Sequence, residues 1–118
     1  MPAKLSTHVL DTAHGCPAVG MKIELWSLDG EERTLVTSAR TNADGRTETP
    51  LLAADEMVAG QYEILFFVGD YFAAKSGALP KIRFLDKVPV RFGLADAGAG
   101  YHVPLLCTPW AYSTYRGS

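Results

Sequence analysis

Three histidines are the residues of this chain whose type is best suited to proton transfer. His8 lies in the middle of a strand-like run with Ser6 and Leu10 on its face, His102 lies mid-strand between Tyr101 and Val103, and His14 lies in a turn-like segment. An imidazole can act as a general base near neutral pH, although a lone strand histidine is more often a hydrogen-bonded structural residue. Two such histidines could meet if their strands lay in one sheet, which would favour a catalytic pair.

Arg46 follows the turn-forming dipeptide Asp44-Gly45 and begins a predicted strand. The planar donors of a guanidinium suit an anion or an oxyanion, but a solvated arginine beside a hairpin is the simpler interpretation of this residue alone. Asp11 could orient His14 or cap a turn, and the turn is favoured.

Other kinds of chemical site find little support. The histidines lack the spacing of a zinc site, so no metal is expected. The sequence contains no phosphate loop, dinucleotide fingerprint or Gly-x-Ser-x-Gly elbow. Cys16 and Cys107 form no disulfide framework, and free thiols are expected, which fits a reducing cytosol.

The composition is typical of a single globular domain spanning residues 1–118. Hydrophobic residues make up 47% and charged residues 20%, which argues against disorder. The net charge of −2 and the scattered basic residues favour neither nucleic acid nor a membrane surface. No apolar run would cross a membrane and no signal peptide is seen, so we expect a cytoplasmic protein, with periplasm and peroxisome left open.

The elements that must position these residues are predicted to be strands. Short runs rich in β-branched and aromatic residues alternate with turn signals, which is typical of a β-sandwich. The predicted strands are 5–12, 21–28, 34–41, 46–49, 61–68, 88–94, 101–107 and 111–115. The run 61–68 is apolar on both faces, which predicts a central, doubly covered strand. The glycine-rich segment 93–100 is interpreted as a flexible hairpin loop.

One segment breaks the strand pattern. Residues 70–77 begin with Asp70 as a capping acid, contain two adjacent alanines and end at Gly77. These features predict a single short helix of about two turns. The residues taken by themselves therefore predict a small sandwich with two strand histidines, and they identify no function.

Four separated segments, taken together, resemble the motifs of one family and occur in its order along the whole chain. They are Leu5-Ser6-Thr7-His8-Val9-Leu10-Asp11-Thr12-Ala13-His14-Gly15-Cys16-Pro17-Ala18, Thr41-Asn42-Ala43-Asp44-Gly45-Arg46, Tyr101-His102-Val103-Pro104-Leu105-Leu106 and the ending Tyr115-Arg116-Gly117-Ser118. The family is that of the 5-hydroxyisourate hydrolases, the transthyretin-related enzymes of urate breakdown. The chain departs from it at Cys107-Thr108-Pro109, where members often carry Ser-Pro.

The resemblance implies an all-β, transthyretin-like sandwich of two four-stranded sheets with one short α-helix near 70–77. It implies hydrolysis of 5-hydroxyisourate to 2-oxo-4-hydroxy-4-carboxy-5-ureidoimidazoline in urate catabolism, with no cofactor and no metal. Members of the family assemble as homotetramers, dimers of dimers, whose active sites lie in a central channel at the interface between dimers.

The resemblance also assigns roles residue by residue. His8, Arg46 and His102 are the expected catalytic residues. His102, assisted by His8, would deprotonate the attacking water, and Arg46 would stabilise the oxyanion. Substrate binding is expected from His8, Arg46, Tyr115, Arg116, Gly117 and Ser118. The carboxylate of Ser118 could pair with either arginine.

Two other classes of protein remain open at this point. A transthyretin-like carrier would bind a ligand without catalysis, but vertebrate carriers lack the Tyr-Arg-Gly-Ser ending and the paired histidines. A sandwich used as an interaction module would be expected to be a monomer, so oligomeric state separates it from an enzyme whose site is built at an interface.

Overall fold

The computed structural model describes residues 2–77 and 79–117, in which eight strands form two four-stranded sheets. The strands are β1 (Lys4–Asp11), β2 (Cys16–Pro17), β3 (Lys22–Asp29), β4 (Glu32–Arg40), β5 (Gly60–Phe67), β6 (Lys87–Leu94), β7 (Gly100–Cys107) and β8 (Tyr112–Thr114). One sheet has the order β2-β1-β7-β8 and the other β4-β3-β5-β6. Only the β1–β7 pair among these described strands is parallel. The predicted all-β sandwich is confirmed.

The two sheets pack face to face because their strands alternate apolar and polar residues. In β1 the buried, core-facing residues are Leu5, Thr7, Val9 and Asp11. The half-exposed residues of the opposite face are Lys4, Ser6, His8 and Leu10. Successive side chains of a strand point to opposite faces, so burying the apolar set places His8 on the outer surface of its sheet.

β5 is a central strand between β3 and β6, as predicted, but its two faces are covered differently. Its inner face packs in the core. On its outer face the Glu63 side chain is buried and accepts hydrogen bonds from Arg33 and Arg91, both at 3.0 Å. The ammonium groups of Lys22 and Lys87 lie over the Phe67 ring. The charged ends of long basic side chains therefore cover this face.

Among the described residues one α-helix is present, α1 (Val68–Ser76), and it begins two residues earlier than predicted. Asp70 is not the cap, because its carboxylate pairs with Arg83 at 2.6 Å. The Gly69 N–H, near the helix start, instead donates to the Asp86 carbonyl at 2.9 Å. The predicted stop is confirmed at Gly77, whose φ of 67° ends the helix. No helix in the described parts of the chain has the length and apolar character needed to span a bilayer.

The predicted strand at 46–49 is wrong, because the polar groups of this segment are satisfied locally. The Asn42 side-chain oxygen accepts the N–H groups of Asp44 and Arg46, at 2.9 and 3.1 Å. The Thr47 hydroxyl donates to the Thr49 carbonyl at 2.6 Å. Such local bonds compete with pairing to a neighbouring strand. The segment is therefore a loop that leads to a single bridge between Leu52 and Leu5.

Two connections also differ from the prediction. The segment 93–100 is not a hairpin, because β6 and β7 belong to different sheets and the chain crosses between them. The Tyr101 hydroxyl accepts the N–H groups of Ala95 and Asp96 at 3.1 Å, which ties down this crossing. The turn-like segment around His14 is followed by a short strand that was not predicted, because residues 16 and 17 pair with β1 as β2.

Candidate active site

The parallel pairing of β1 and β7 brings His8 and His102 to one face of their sheet. In this register Ser6 lies opposite His102, and His8 lies opposite Pro104. Residues paired in this way point to the same face, so the two histidines are diagonal neighbours on the outer surface of the sheet. A contact between segments this distant in the chain can arise only from the fold.

Arg46 reaches the same face because the turn before it docks against β1. The Gly45 carbonyl accepts the Val9 N–H at 2.8 Å, and Gly45 has a φ of 76°. A Cβ at this position would collide with the Val9 carbonyl oxygen. Glycine is therefore required for this close approach, and the approach sets Arg46 beside β1.

The same turn orients His8. The Nε2 atom of His8 lies 2.8 Å from the Asp44 carbonyl oxygen. A carbonyl oxygen can only accept, so Nε2 carries the hydrogen and donates it. In neutral His8 the free lone pair is therefore on Nδ1.

His102 is held by a side chain and by the chain ending. Its Nδ1 lies 2.9 Å from the Ser6 hydroxyl oxygen. The Gly117 N–H donates to the His102 carbonyl at 2.7 Å. Burial, followed by the positive charge of Arg46, by His8 when it is protonated, and by Lys4, holds the pKa of His102 below its usual value of 6.5. His102 is therefore neutral at neutral pH, as a general base must be.

A cleft of about 210 Å³ opens beside these residues. Its walls include Lys4, Ser6, Arg46, Thr47 and Glu48. Lys4 and Arg46 give this cleft a positive side where negative charge would be stabilised. The sequence interpretation missed Lys4 and Ser6 as site residues. The two-residue period of β1 was the available signal, since it places both on the face of His8.

The C-terminal residues 115–117 lie along β7, and they differ in which side chains they contact. The register of β7 and β8 continues to the bridge between His102 and Gly117, which puts Tyr115 opposite Pro104 on the face of His8. The Arg116 guanidinium lies 4.1 Å from the centre of the Tyr101 ring and donates to the Gly100 carbonyl at 3.3 Å. In the described chain Gly117 thus joins His8, Arg46 and His102, and the Arg116 side chain lies apart from them. The predicted role of Ser118 falls outside the described residues.

His14 lies away from this cleft in a second polar cluster. The Asp11 carboxylate accepts hydrogen bonds from the His14 backbone N–H at 2.9 Å and from the His14 ring Nδ1–H at 2.8 Å, so it caps the turn and orients the ring. The Tyr71 hydroxyl donates to the same carboxylate at 2.8 Å. Both cysteines are free thiols, and burial raises the pKa of Cys107 to about 12. Within residues 2–77 and 79–117, no three metal-ligating side chains cluster.

The sequence comparisons identify the family. The model of the HIUase/Transthyretin family matches residues 5–117. The chain is 52% identical over 115 residues to 5-hydroxyisourate hydrolase 2 of Rhizobium meliloti, covering 98% of this chain and 96% of that protein.

The structural comparisons give the same fold. A crystal structure of (S)-allantoin synthase matches 98% of the chain with a TM-score of 0.90 and 49% identity, and the chain spans 43% of that protein. The 5-hydroxyisourate hydrolase of Klebsiella pneumoniae matches over 98% of this chain and 99% of its own, with a TM-score of 0.79 and 33% identity. Sea bream transthyretin, 23% identical with a TM-score of 0.85 over 97% and 94% of the chains, shares the fold. The chain belongs to the HIUase/Transthyretin family.

Proposed function

We propose that the protein hydrolyses 5-hydroxyisourate to 2-oxo-4-hydroxy-4-carboxy-5-ureidoimidazoline, a step of urate breakdown. The observation that carries this proposal is the placement of His8 and His102 on one sheet face, beside a cleft lined by Lys4 and Arg46. Relatives also support the proposal, because proteins that are about half identical to this chain over nearly its whole length are named 5-hydroxyisourate hydrolases. The sandwich alone does not distinguish an enzyme from a carrier, because a transthyretin shares it.

The chemistry requires a base, a stabiliser for negative charge and a proton for the leaving nitrogen. His102 takes a proton from water as the water oxygen bonds to the ring carbonyl carbon. Arg46 stabilises the negative oxygen that forms there. The carbon–nitrogen bond then breaks as the proton passes from His102 to the leaving nitrogen. His8 assists from its Nδ1, the atom left free by the bond to Asp44.

The chain ending contributes to binding in this proposal. Tyr115, on the face of His8, contacts the purine-derived ring, and Gly117 holds the ending against His102. Arg116 anchors the ending through its contacts with Tyr101 and Gly100. Ser118 completes the proposed binding residues.

The proposed assembly is a homotetramer, a dimer of dimers, with the sites at the interface between dimers. Two features of the chain support it. Arg46, which lines the cleft, is exposed, so a neighbouring subunit would be needed to exclude water. Large apolar side chains are exposed on and beside β8, among them Trp110, Tyr112 and Tyr115. Sedimentation velocity distinguishes a tetramer from a monomer.

The proposed compartment is the cytoplasm, without a nucleic-acid or membrane partner. The two free thiols support a reducing environment. Fluorescence of the tagged chain in cells of its source would test this location, and a signal confined to periplasm or peroxisome would overturn it.

The activity is tested by an ultraviolet time course of 5-hydroxyisourate generated from urate by urate oxidase. The purified protein is added after urate is consumed, and the absorbance should then fall far faster than in a protein-free control, in proportion to the protein added. Unchanged decay with a folded tetramer would favour the carrier. His102→Asn and Arg46→Ala should each lower turnover by orders of magnitude. The matched controls are His14→Asn, in the second cluster, and Arg40→Ala, exposed in the other sheet.

A further inference from the structure

Ser6 is the side chain that contacts the imidazole of His102. The two residues are partners in the parallel β1–β7 pair, and Ser6 Oγ lies 2.9 Å from His102 Nδ1. Ser6 also lines the cleft that holds Arg46. A partner of one ring nitrogen decides which nitrogen of a neutral histidine carries the hydrogen.

The hydrogen-bond partner determines which ring nitrogen of His8 carries the hydrogen, but it leaves two arrangements open for His102. The partner of His8 is the Asp44 carbonyl, which can only accept. The partner of His102 is a hydroxyl, which can accept from Nδ1–H or donate to a bare Nδ1. Only the first arrangement leaves a lone pair on Nε2, which has no hydrogen-bond partner among the described residues and can then take a proton from water.

The other groups that face His102 cannot take the place of Ser6. Arg46 on the docked turn and Lys4 on β1 are cations that only donate hydrogen bonds. His8 has its Nε2 bound to Asp44, and Gly117 on the chain ending contacts His102 through its backbone. The Ser6 hydroxyl is thus the described oxygen positioned to accept Nδ1–H.

We propose that Ser6 is a positioning residue that accepts the Nδ1–H of His102 and thereby keeps the lone pair of Nε2 available as the base. This proposal rests on the function proposed above. When water attacks, its O–H bond breaks as the Nε2–H bond forms, and its oxygen bonds to the carbonyl carbon. The Nε2 proton then passes to the leaving nitrogen as the carbon–nitrogen bond breaks. Ser6 accepts the same Nδ1–H throughout, so the ring need not turn between steps.

The kinetic test compares Ser6→Ala with Ser6→Thr. Ser6→Ala should lower kcat about tenfold or more and change KM less than about twofold, because the base is misoriented and binding is kept. Ser6→Thr keeps the hydroxyl in a residue that suits a strand and should restore most of the lost kcat. Ser38→Ala, an exposed serine of β4 in the other sheet, is the matched control. A kcat of Ser6→Ala within twofold of the unmodified protein would overturn the proposal.

A spectroscopic test does not depend on turnover or on the folding of a variant. In the unmodified protein labelled with ¹⁵N-histidine, the ring nitrogen shifts of His102 at neutral pH should show hydrogen on Nδ1, whereas those of His8 should show hydrogen on Nε2. Hydrogen on Nε2 of His102 would refute the role of Ser6. If the unmodified protein leaves 5-hydroxyisourate untouched while this pattern is observed, the proposed function fails and the Ser6–His102 contact stands.

Discussion

Gly117 lies directly against the imidazole of His102. Its N–H donates to the His102 carbonyl at 2.7 Å, and a Cβ at this glycine would come within 2.7 Å of His102 Cδ2. Real Cβ atoms essentially never approach a neighbour so closely. The absence of a side chain at 117 is therefore what lets the chain ending pack on the proposed base.

Gly117→Ala should consequently damage activity more than stability. The methyl group must displace either the His102 ring or the terminal segment, and both are only half-buried, so either can move without disturbing the core. We expect kcat to fall about tenfold or more, because small misplacements of catalytic groups cost this much. The thermal midpoint should move by only a few degrees.

Gly98→Ala is the control for that substitution, since Gly98 is exposed in the loop between β6 and β7. Turnover and thermal unfolding of both variants should be measured together. A Gly117→Ala protein with full turnover would show that the ring tolerates the added methyl group.

The pH profile of the reaction should reflect the electrostatic environment of His102. Burial, then Arg46, His8 and Lys4, holds its pKa below 6.5, and the base must be neutral. Activity should thus persist below pH 6.5 and fall only as pH drops through the lowered pKa. Lys4→Gln removes one positive charge, so the acidic limb of kcat/KM should move upward toward 6.5.

The matched control is Lys81→Gln, an exposed lysine that is not among the groups that shift His102. The proton resonances of the His102 ring, titrated in parallel, should show the same direction of change. An acidic limb at or above pH 6.5 in the unmodified protein would contradict the assignment of His102 as the base.

The bond between Tyr71 and Asp11 should stabilise the fold, and by an amount that depends on pH. Burial alone would raise the pKa of Asp11, but hydrogen bonds from Tyr71 and His14 outweigh it and hold the pKa below 3.8. A carboxyl with a lowered folded pKa stabilises the protein above its unfolded pKa and loses this effect as pH falls. Tyr71→Phe should cost about 1–3 kcal/mol near neutrality and less at pH 3.

Tyr62→Phe is the comparison for that experiment. The Tyr62 hydroxyl donates to the Val58 carbonyl at 2.6 Å, and this acceptor does not titrate. Urea unfolding at several pH values should give a nearly constant loss for Tyr62→Phe and a pH-dependent loss for Tyr71→Phe. Equal pH dependence in the two variants would refute the role of the Asp11 charge.

Arg116 should act as an anchor for the chain ending. Its guanidinium packs on the Tyr101 ring and donates to the Gly100 carbonyl. Arg116→Ala removes both contacts, so the Gly117 amide, bound to His102, should exchange its hydrogen about tenfold faster. Arg33→Ala, whose arginine pairs with Glu63 on the other sheet, should leave that exchange rate unchanged. Unchanged exchange in Arg116→Ala would mean that the β7 pairing alone holds the ending.

Local patterns in the sequence accounted for most of the elements. The two-residue alternation predicted β1 and β3, and Gly77 predicted the end of α1, because these features depend on neighbours within a few positions. The prediction of a strand at 46–49 was wrong because the Asn42 side-chain oxygen accepts the backbone N–H groups of Asp44 and Arg46. The prediction of a hairpin at 93–100 was wrong because turn residues do not indicate which sheet the next strand joins.

The sequence by itself determined the type of fold, the alternation that turns His8 outward, and the motifs that mark His8, Arg46 and His102. The tertiary structure decided that β1 and β7 pair in parallel, which sets Ser6 on His102. It also decided that the turn at Gly45 docks on β1 and carries Arg46 to the same face. These are contacts between distant segments, and they form only where the burial of two sheet faces selects one register among many.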